Sequence, residues 1–182
     1  MDGDGWLLKN YSEVNIDELE KLYAQYLKFG MDDEEVAAAG EKIKPFVENC
    51  RFFAKGTEAL YSPYDNTLIQ SILPKLQSLR DTEQKKERKD ELSNITLLLG
   101  NYELYVELFR ELKTEIDEIV KQKGREHKLV YPLVKGIIKK YKEDGATADI
   151  CKIPYLQKQL ENYFDALEKD CIKEYNLELE KK

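Results

Sequence analysis

Residues 92–120, LSNITLLLGNYELYVELFRELKTEIDEIV, decide the fold because their apolar side chains recur at helical spacing. Successive apolar residues stand three or four positions apart, which places them on one face of a helix. These seam residues are Leu92, Ile95, Leu99, Tyr102, Val106, Phe109, Leu112, Ile116 and Ile119. At a rise of 1.5 Å per residue such a helix is roughly 40 Å long, and other helices must cover its apolar face.

Shorter segments with helical periodicity lie on both sides of the long helix. Asn15 is a suitable N-cap for the first of them, and Asp65 or Asn66 for another. Prolines that fit the first turn of a helix begin three more: Pro45, Pro132 and Pro154. Glycines that fit helix ends follow three of the predicted helices: Gly30, Gly56 and Gly124. The sequence therefore predicts an all-α fold, an irregular bundle of about seven helices around one long central helix.

The length of 182 residues fits one helical domain over 1–182. Within it, residues 1–14 form a flexible or loosely packed lead before the first periodic segment. Residues 81–91, DTEQKKERKDE, contain no apolar side chain. We expect them to be either a solvated extension of the long helix or a hinge.

Hydropathy and cysteine usage restrict where the protein works. No apolar run approaches the roughly 18 residues of a membrane span, so we expect no membrane partner. The three cysteines form no spacing typical of a disulfide framework or a zinc site. We interpret them as reduced thiols and expect a cytoplasmic location.

The net charge of −7 conceals a marked asymmetry. Residues 121–142 hold eight basic residues and one acidic residue. In contrast, residues 1–50, 51–120 and 143–182 each have a negative net charge. We call residues 121–142 the basic stretch. Its basic residues are Lys121, Lys123, Arg125, Lys128, Lys135, Lys139, Lys140 and Lys142.

The long helix carries a second pattern on the side away from its apolar seam. Five glutamates recur there at spacings of four, four, four and three residues, and we call them the acidic row. They are Glu103, Glu107, Glu111, Glu115 and Glu118. Such a row is either a solvated outer face or a line of carboxylates that imitates nucleic-acid phosphates to a basic partner.

Catalytic chemistry finds little support in the sequence. The single histidine, His127, stands in a basic loop, and two Glu-x-x-His motifs, as a di-iron bundle needs, do not occur. No P-loop, nucleophile elbow or dinucleotide-binding glycine pattern is present either. We expect a non-enzymatic protein with no catalytic residues, cofactor or resident metal, although carboxylates alone could still hold Mg²⁺.

Surface contact is the function that these patterns favour. Twelve tyrosines supply large, partly polar contact area, and acidic surfaces are attracted to the basic clefts of nucleic-acid-handling proteins. In size, acidity and lack of catalytic motifs, the chain resembles small phage-encoded inhibitors, such as those that disable CRISPR nucleases. This resemblance implies a protein partner that handles nucleic acid, bound through the acidic row, with the basic stretch touching nucleic acid or an acidic patch.

Two other functions remain open. The basic stretch, with Tyr131 and Tyr141 interleaved as stacking surfaces, could bind nucleic acid directly, and the C-terminal part could form a helix-turn-helix. The near-heptad spacing of the long helix could instead support a helical homo-oligomeric adaptor.

Overall fold

The computed structural model describes the backbone of residues 4–126 and 131–180, with side chains at 5–122, 132–171 and 173. These residues form eight α-helices and one 3-10 helix, and no strand occurs among them. The helices are α1 (Asp4–Leu7), the 3-10 helix (Tyr11–Glu13), α2 (Ile16–Phe29), α3 (Glu34–Leu60), α4 (Asn66–Thr82), α5 (Lys86–Glu126), α6 (Tyr131–Lys142), α7 (Gly145–Ile150) and α8 (Pro154–Glu180). The predicted all-α bundle with one long helix is confirmed.

The described residues fall into two compact units. Unit 1 contains the residues up to 59 together with 65–100, and unit 2 contains 60–64 and the residues from 101 onward. Helix α5 contributes its first part to unit 1 and the rest to unit 2. That residues 1–182 form a single domain stays a prediction.

The core of unit 1 is formed by α2, α3, α4 and the first part of α5. One side chain from each is completely or almost completely buried: Leu19, Val47, Leu76 and Leu92. Asn15 caps α2 as predicted, because its side chain accepts a hydrogen bond from the Glu18 amide at 3.2 Å. The Asp65 side chain caps α4 in the same way.

Helix α3 differs from the prediction, which began a new helix at Pro45. The helix runs through this proline, and Pro45 faces solvent. The residues around it, Ile43, Phe46 and Val47, are all buried. A proline inside a helix removes one hydrogen bond and costs about 3 kcal/mol. Burial of several large side chains on one continuous face outweighs that cost.

Gly56 was predicted to end a helix, and this prediction is wrong. It lies inside α3, is buried, and meets the neighbouring helices closely. A Cβ atom at this position would stand 2.8 Å from Ile95 Cδ1 and 2.9 Å from Leu76 Cδ1. The missing side chain therefore allows α4 and α5 to approach α3.

The polar segment 81–91 contains the end of α4, a three-residue connection at 83–85, and the first turns of α5. The lead before it includes Tyr11, whose side chain is only 3% exposed. Polar side chains from 83–91 hydrogen-bond the backbone of the lead.

The core of unit 2 is formed by the later part of α5 with α6, α7 and α8. Five of its residues are fully buried: Tyr102, Ile116, Val134, Ile150 and Ile153. Helix α6 packs against α7 and α8. Pro132 and Pro154 occupy first turns as predicted, but Gly124 does not end the long helix, which continues to Glu126.

The predicted seam of α5 is confirmed, since each of its nine residues is buried or half-buried. Two other leucines of α5 remain exposed, Leu97 by 59% and Leu104 by 55%. None of the described helices is both long enough and apolar enough to cross a membrane.

Truncation of a buried leucine of α4 should distinguish core positions from surface positions. We expect Leu76→Ala to lower the free energy of unfolding by about 2–5 kcal/mol, because Leu76 is completely buried and its removal leaves a cavity. The exposed Leu97→Ala is the matched control and should change it by less than about 0.5 kcal/mol. Urea unfolding followed by circular dichroism measures both, and equal losses would contradict the described core.

Candidate functional site

The acidic row lies on the solvent side of α5 within unit 2. All five of its glutamates are exposed. Their spacing of three or four residues keeps them on one side of the helix, while the seam residues Leu112 and Ile116 turn to the core. The helix therefore presents carboxylates and apolar side chains on different faces.

Some members of the acidic row are engaged with neighbours. Arg110 donates to Glu107 at 2.8 Å, in an ion pair whose two side chains are exposed. Surface pairs of this kind contribute about 0–1 kcal/mol, so Glu107 stays available to a stronger partner. The Tyr64 hydroxyl lies 3.5 Å from Glu103 and approaches it only weakly.

Glu115 has the best-defined contact in the row. The Tyr141 hydroxyl of α6 donates to its carboxylate at 2.8 Å. Burial of the ring is the main cause that raises the pKa of Tyr141 to about 12, and the bond to Glu115 adds to it. Tyr141 is only 8% exposed, so it offers no stacking surface to a nucleobase, in contrast to the prediction. The side chain of Tyr131 lies outside the described residues.

A small groove in unit 2 is lined by residues of α5, α6 and the start of α7. Its volume is about 260 Å³, and it is lined by the acidic residues Glu111, Glu115 and Asp144 together with Lys140. Apolar side chains from Leu108 and Leu112 line it as well. Lys140 therefore lies among acidic side chains, apart from the other lysines of α6.

The other lysines of α6 gather in a second groove, of about 490 Å³, which we call the lysine groove. It is lined by Lys135, Lys139, Lys142, Ile138, Glu143 and Glu168. The lysines are exposed, and their spacing of four and three residues sets them on one side of α6. The two glutamates reduce the net charge of the groove to +1.

The remaining basic residues add less. Lys121 is exposed near the end of α5. The predictions for the side chains of Lys123, Arg125 and Lys128 lie outside the described residues. The basic stretch is thus divided: three lysines share one groove, and Lys140 faces acidic groups.

The helix that would stand in the middle of a helix-turn-helix is short in this structure. Its middle helix would be α7, which spans six residues. Among the side chains available for a partner on α8, Gln157, Lys158 and Asn162 are exposed. Over the part of α8 whose side chains the structure describes, acidic residues accompany these positions, so positive charge is not concentrated there.

Metal and thiol chemistry add no further site. Across the described residues, no group of three or more histidine, cysteine, aspartate or glutamate side chains is arranged to hold a metal ion. The three cysteines are free thiols. Burial raises the pKa of Cys50 to about 12 and also raises the pKa of Cys151.

Sequence reasoning missed the partner of Glu115. The Tyr141 hydroxyl comes from 26 residues further along the chain, and no local pattern links the two positions. The one available signal was Tyr141 at an inward position of an amphipathic helix, where a buried hydroxyl needs a partner.

Comparison with known proteins gives no match, whether with family models, curated proteins or solved structures.

Alkaline pH should test the Tyr141–Glu115 contact. Unfolded Tyr141 ionises near pH 10, whereas its folded pKa is about 12, so its contribution to stability is complete below pH 10 and is lost as pH approaches 12. We expect the free energy of unfolding to fall less steeply over this window in Tyr141→Phe than in the wild type. Urea titrations at several pH values from 8 to 12 measure it. Parallel profiles would show that the phenol does not titrate as described.

Proposed function

We propose that the protein is a non-enzymatic interaction protein whose acidic row binds a basic surface of a partner protein that handles nucleic acid. One observation supports this most strongly: five exposed glutamates stand on one side of a helix whose opposite face is committed to the core. Because the core face of α5 is packed against other helices, the helix does not need to reorganise when its carboxylates bind a partner.

The acidic row is a sparser line of negative charge than a phosphate backbone. Four residues of helix correspond to about 6 Å, whereas one strand of duplex DNA carries a phosphate about every 3.4 Å along the axis. The row therefore has roughly half the linear charge density of one DNA strand. Charge alone would give modest, salt-sensitive binding, and an apolar contact must add to it.

Leu104 supplies such a contact. It is 55% exposed and follows Glu103 directly in α5. An exposed leucine beside charged residues suits an interface in which apolar contact contributes affinity and charge contributes specificity. In its most specific form, the proposal is a small phage-type inhibitor that occupies the nucleic-acid groove of an enzyme such as a CRISPR nuclease.

Neutralising three glutamates of the acidic row should weaken this binding. We expect Glu103→Gln, Glu111→Gln and Glu118→Gln together to weaken binding to a basic nuclease about tenfold or more at low salt, because three attractive charges are lost. The matched control is Asp17→Asn, Glu41→Gln and Glu87→Gln, which changes the net charge equally at exposed positions of unit 1.

A panel of purified CRISPR nucleases, assayed for binding and for cleavage in the presence of the protein, provides the measurement. We expect the wild type and the unit 1 control variant to bind and inhibit at least one of these nucleases. The variant of the acidic row should bind and inhibit it more weakly. Equal behaviour of the two variants, or no binding by the wild type to any basic nucleic-acid enzyme, would overturn it.

Direct nucleic-acid binding is the second candidate, and the lysine groove favours it. Lys135, Lys139 and Lys142 line one concave surface of about 490 Å³, where their charges could neutralise phosphates. It comes second because Glu143 and Glu168 oppose the lysines there and because the buried Tyr141 offers no stacking platform.

Salt dependence tests this second candidate. If three lysines each neutralise one phosphate, the affinity for a single-stranded DNA oligonucleotide should fall with a log–log salt slope of about −2. Lys135→Glu, Lys139→Glu and Lys142→Glu together should remove binding, whereas Lys21→Glu, Lys44→Glu and Lys89→Glu, exposed in unit 1, should reduce it much less. Filter binding measures both, and absence of retention at low salt would exclude this function.

A further inference from the structure

The strongest unassigned feature lies in unit 1, where the N-terminal lead is held by side chains from the start of α5 and the connection before it. Arg88 donates from Nε to the Lys9 carbonyl at 2.8 Å and from its terminal nitrogen to the Leu7 carbonyl. Lys85 donates to the Leu8 carbonyl at 2.5 Å. Three consecutive carbonyls of the lead are thus bound by two side chains.

Glu91 completes the recognition of the lead's backbone. Its two carboxylate oxygens accept hydrogen bonds from the amides of Tyr11 and Ser12, each at 2.9 Å. Hydrogen bonds to main-chain groups hold a segment in place whatever its side chains are, so selectivity has to come from a side chain. We call Glu83, Lys85, Arg88 and Glu91 the clamp.

Among the side chains of the lead that the structure describes, Tyr11 is the one that is fully buried. Its ring stacks on Phe53 at 5.4 Å and on Phe46 at 6.0 Å, and its hydroxyl donates to Glu83 at 2.9 Å. The Arg88 guanidinium lies over both Tyr11 and Phe46, at 5.6 and 4.7 Å from the ring centroids. The clamp is therefore specific for an aromatic ring that carries a hydroxyl.

Several observations indicate that the lead is separable from the rest of unit 1. Leu8 is 76% exposed, and of the apolar side chains described in the lead only Tyr11 is fully buried, while Trp6 and Leu7 are half-buried. The lead joins α2 through Val14 and Asn15, whose backbone is extended. Within the described residues, the Asn10 side-chain oxygen is buried without a hydrogen-bond donor, which weakens the closed arrangement.

We propose that the clamp is a peptide-binding site whose ligand is the chain's own residues 7–12, and that this segment leaves and rebinds as one unit. The ligand class is a short peptide with a tyrosine anchor, and the corresponding segment of a second copy fits the same site. All the groups involved belong to unit 1, so the inference does not depend on the acidic row. A cavity of about 510 Å³, which Tyr11 and Ser12 line together with Cys50 and Phe53, adjoins the bound segment, and release would remove one of its walls.

The sole tryptophan, Trp6, lies in the lead and provides the probe. A protease recognition sequence is inserted between Val14 and Asn15 of the full chain, and the folded protein is cut there. We expect the cut lead to stay bound at high concentration, with Trp6 anisotropy equal to that of the uncut chain. Dilution should lower the anisotropy while far-UV circular dichroism of the remaining helices is retained.

Competition decides specificity. A synthetic peptide of residues 5–14 carrying W6F should displace the cut lead in a saturable manner, and the same peptide with Y11A added should be at least tenfold weaker. Release that occurs only together with loss of helicity would overturn the proposal, as would immediate release at every concentration without rebinding. Equal competition by the two peptides would overturn the tyrosine anchor.

A clamp variant adds a second test. Arg88→Lys keeps the charge but loses the two-pronged donor that reaches Leu7 and Lys9, so we expect at least tenfold weaker retention of the cut lead. Arg110→Lys, at an exposed position of α5, is the matched control and should retain it fully. If Arg88→Lys does not fold, the competition on the unsubstituted chain still decides.

Discussion

Burial of the apolar seam of α5 is the constraint on which the other features depend. In unit 1 the seam begins at Leu92, which is completely buried, and in unit 2 it continues through Tyr102 and Ile116, which are buried as well. The Tyr102 hydroxyl even finds a partner inside unit 2, donating to the Ser62 carbonyl at 2.6 Å. Because one face of the helix is fixed in the core, the opposite face always points to solvent. The charged side chains on that face therefore have defined positions.

The charged surfaces follow from that constraint. The seam takes the inward positions of α5, and the glutamates take the outward ones, so the row is a consequence of helical geometry as well as of composition. Structural and recognition roles meet in Tyr141, which belongs to the core of unit 2 and also fixes the Glu115 carboxylate. Helical geometry also divides the basic stretch between two grooves. Lys140 lines the small groove beside the acidic row, whereas its neighbour Lys139 lines the lysine groove.

Periodicity and capping chemistry made much of the fold predictable. The seam of α5 and the caps at Asn15 and Asp65 depend on residues close in sequence, and these predictions are confirmed. Pro45 and Gly56 were misinterpreted because their usual local effects are overridden by tertiary packing. The proline faces solvent beside a well-buried helical face, and the glycine makes room for neighbouring helices.

The charges of the candidate site were predictable as well, but their partners were not. Exposure of the glutamates followed from the phase of the helix, whereas the pairing of Glu115 with Tyr141 depends on how distant segments fold together. The segment 81–91 shows the same limit. Its polar composition indicates solvent, yet the Arg88 side chain is 12% exposed because it lies between aromatic rings and backbone carbonyls of the lead.

The position of Cys50 has a chemical consequence. Burial is the main cause that raises the pKa of the Cys50 thiol to about 12, so the thiol is almost entirely protonated at pH 7. Electrophiles and oxidants react with the thiolate, so the closed chain tolerates them at this position although it has a free sulfur there. Chemical resistance of the cysteine is in this sense a property of the packed core around it, which leaves Cys50 only 3% exposed.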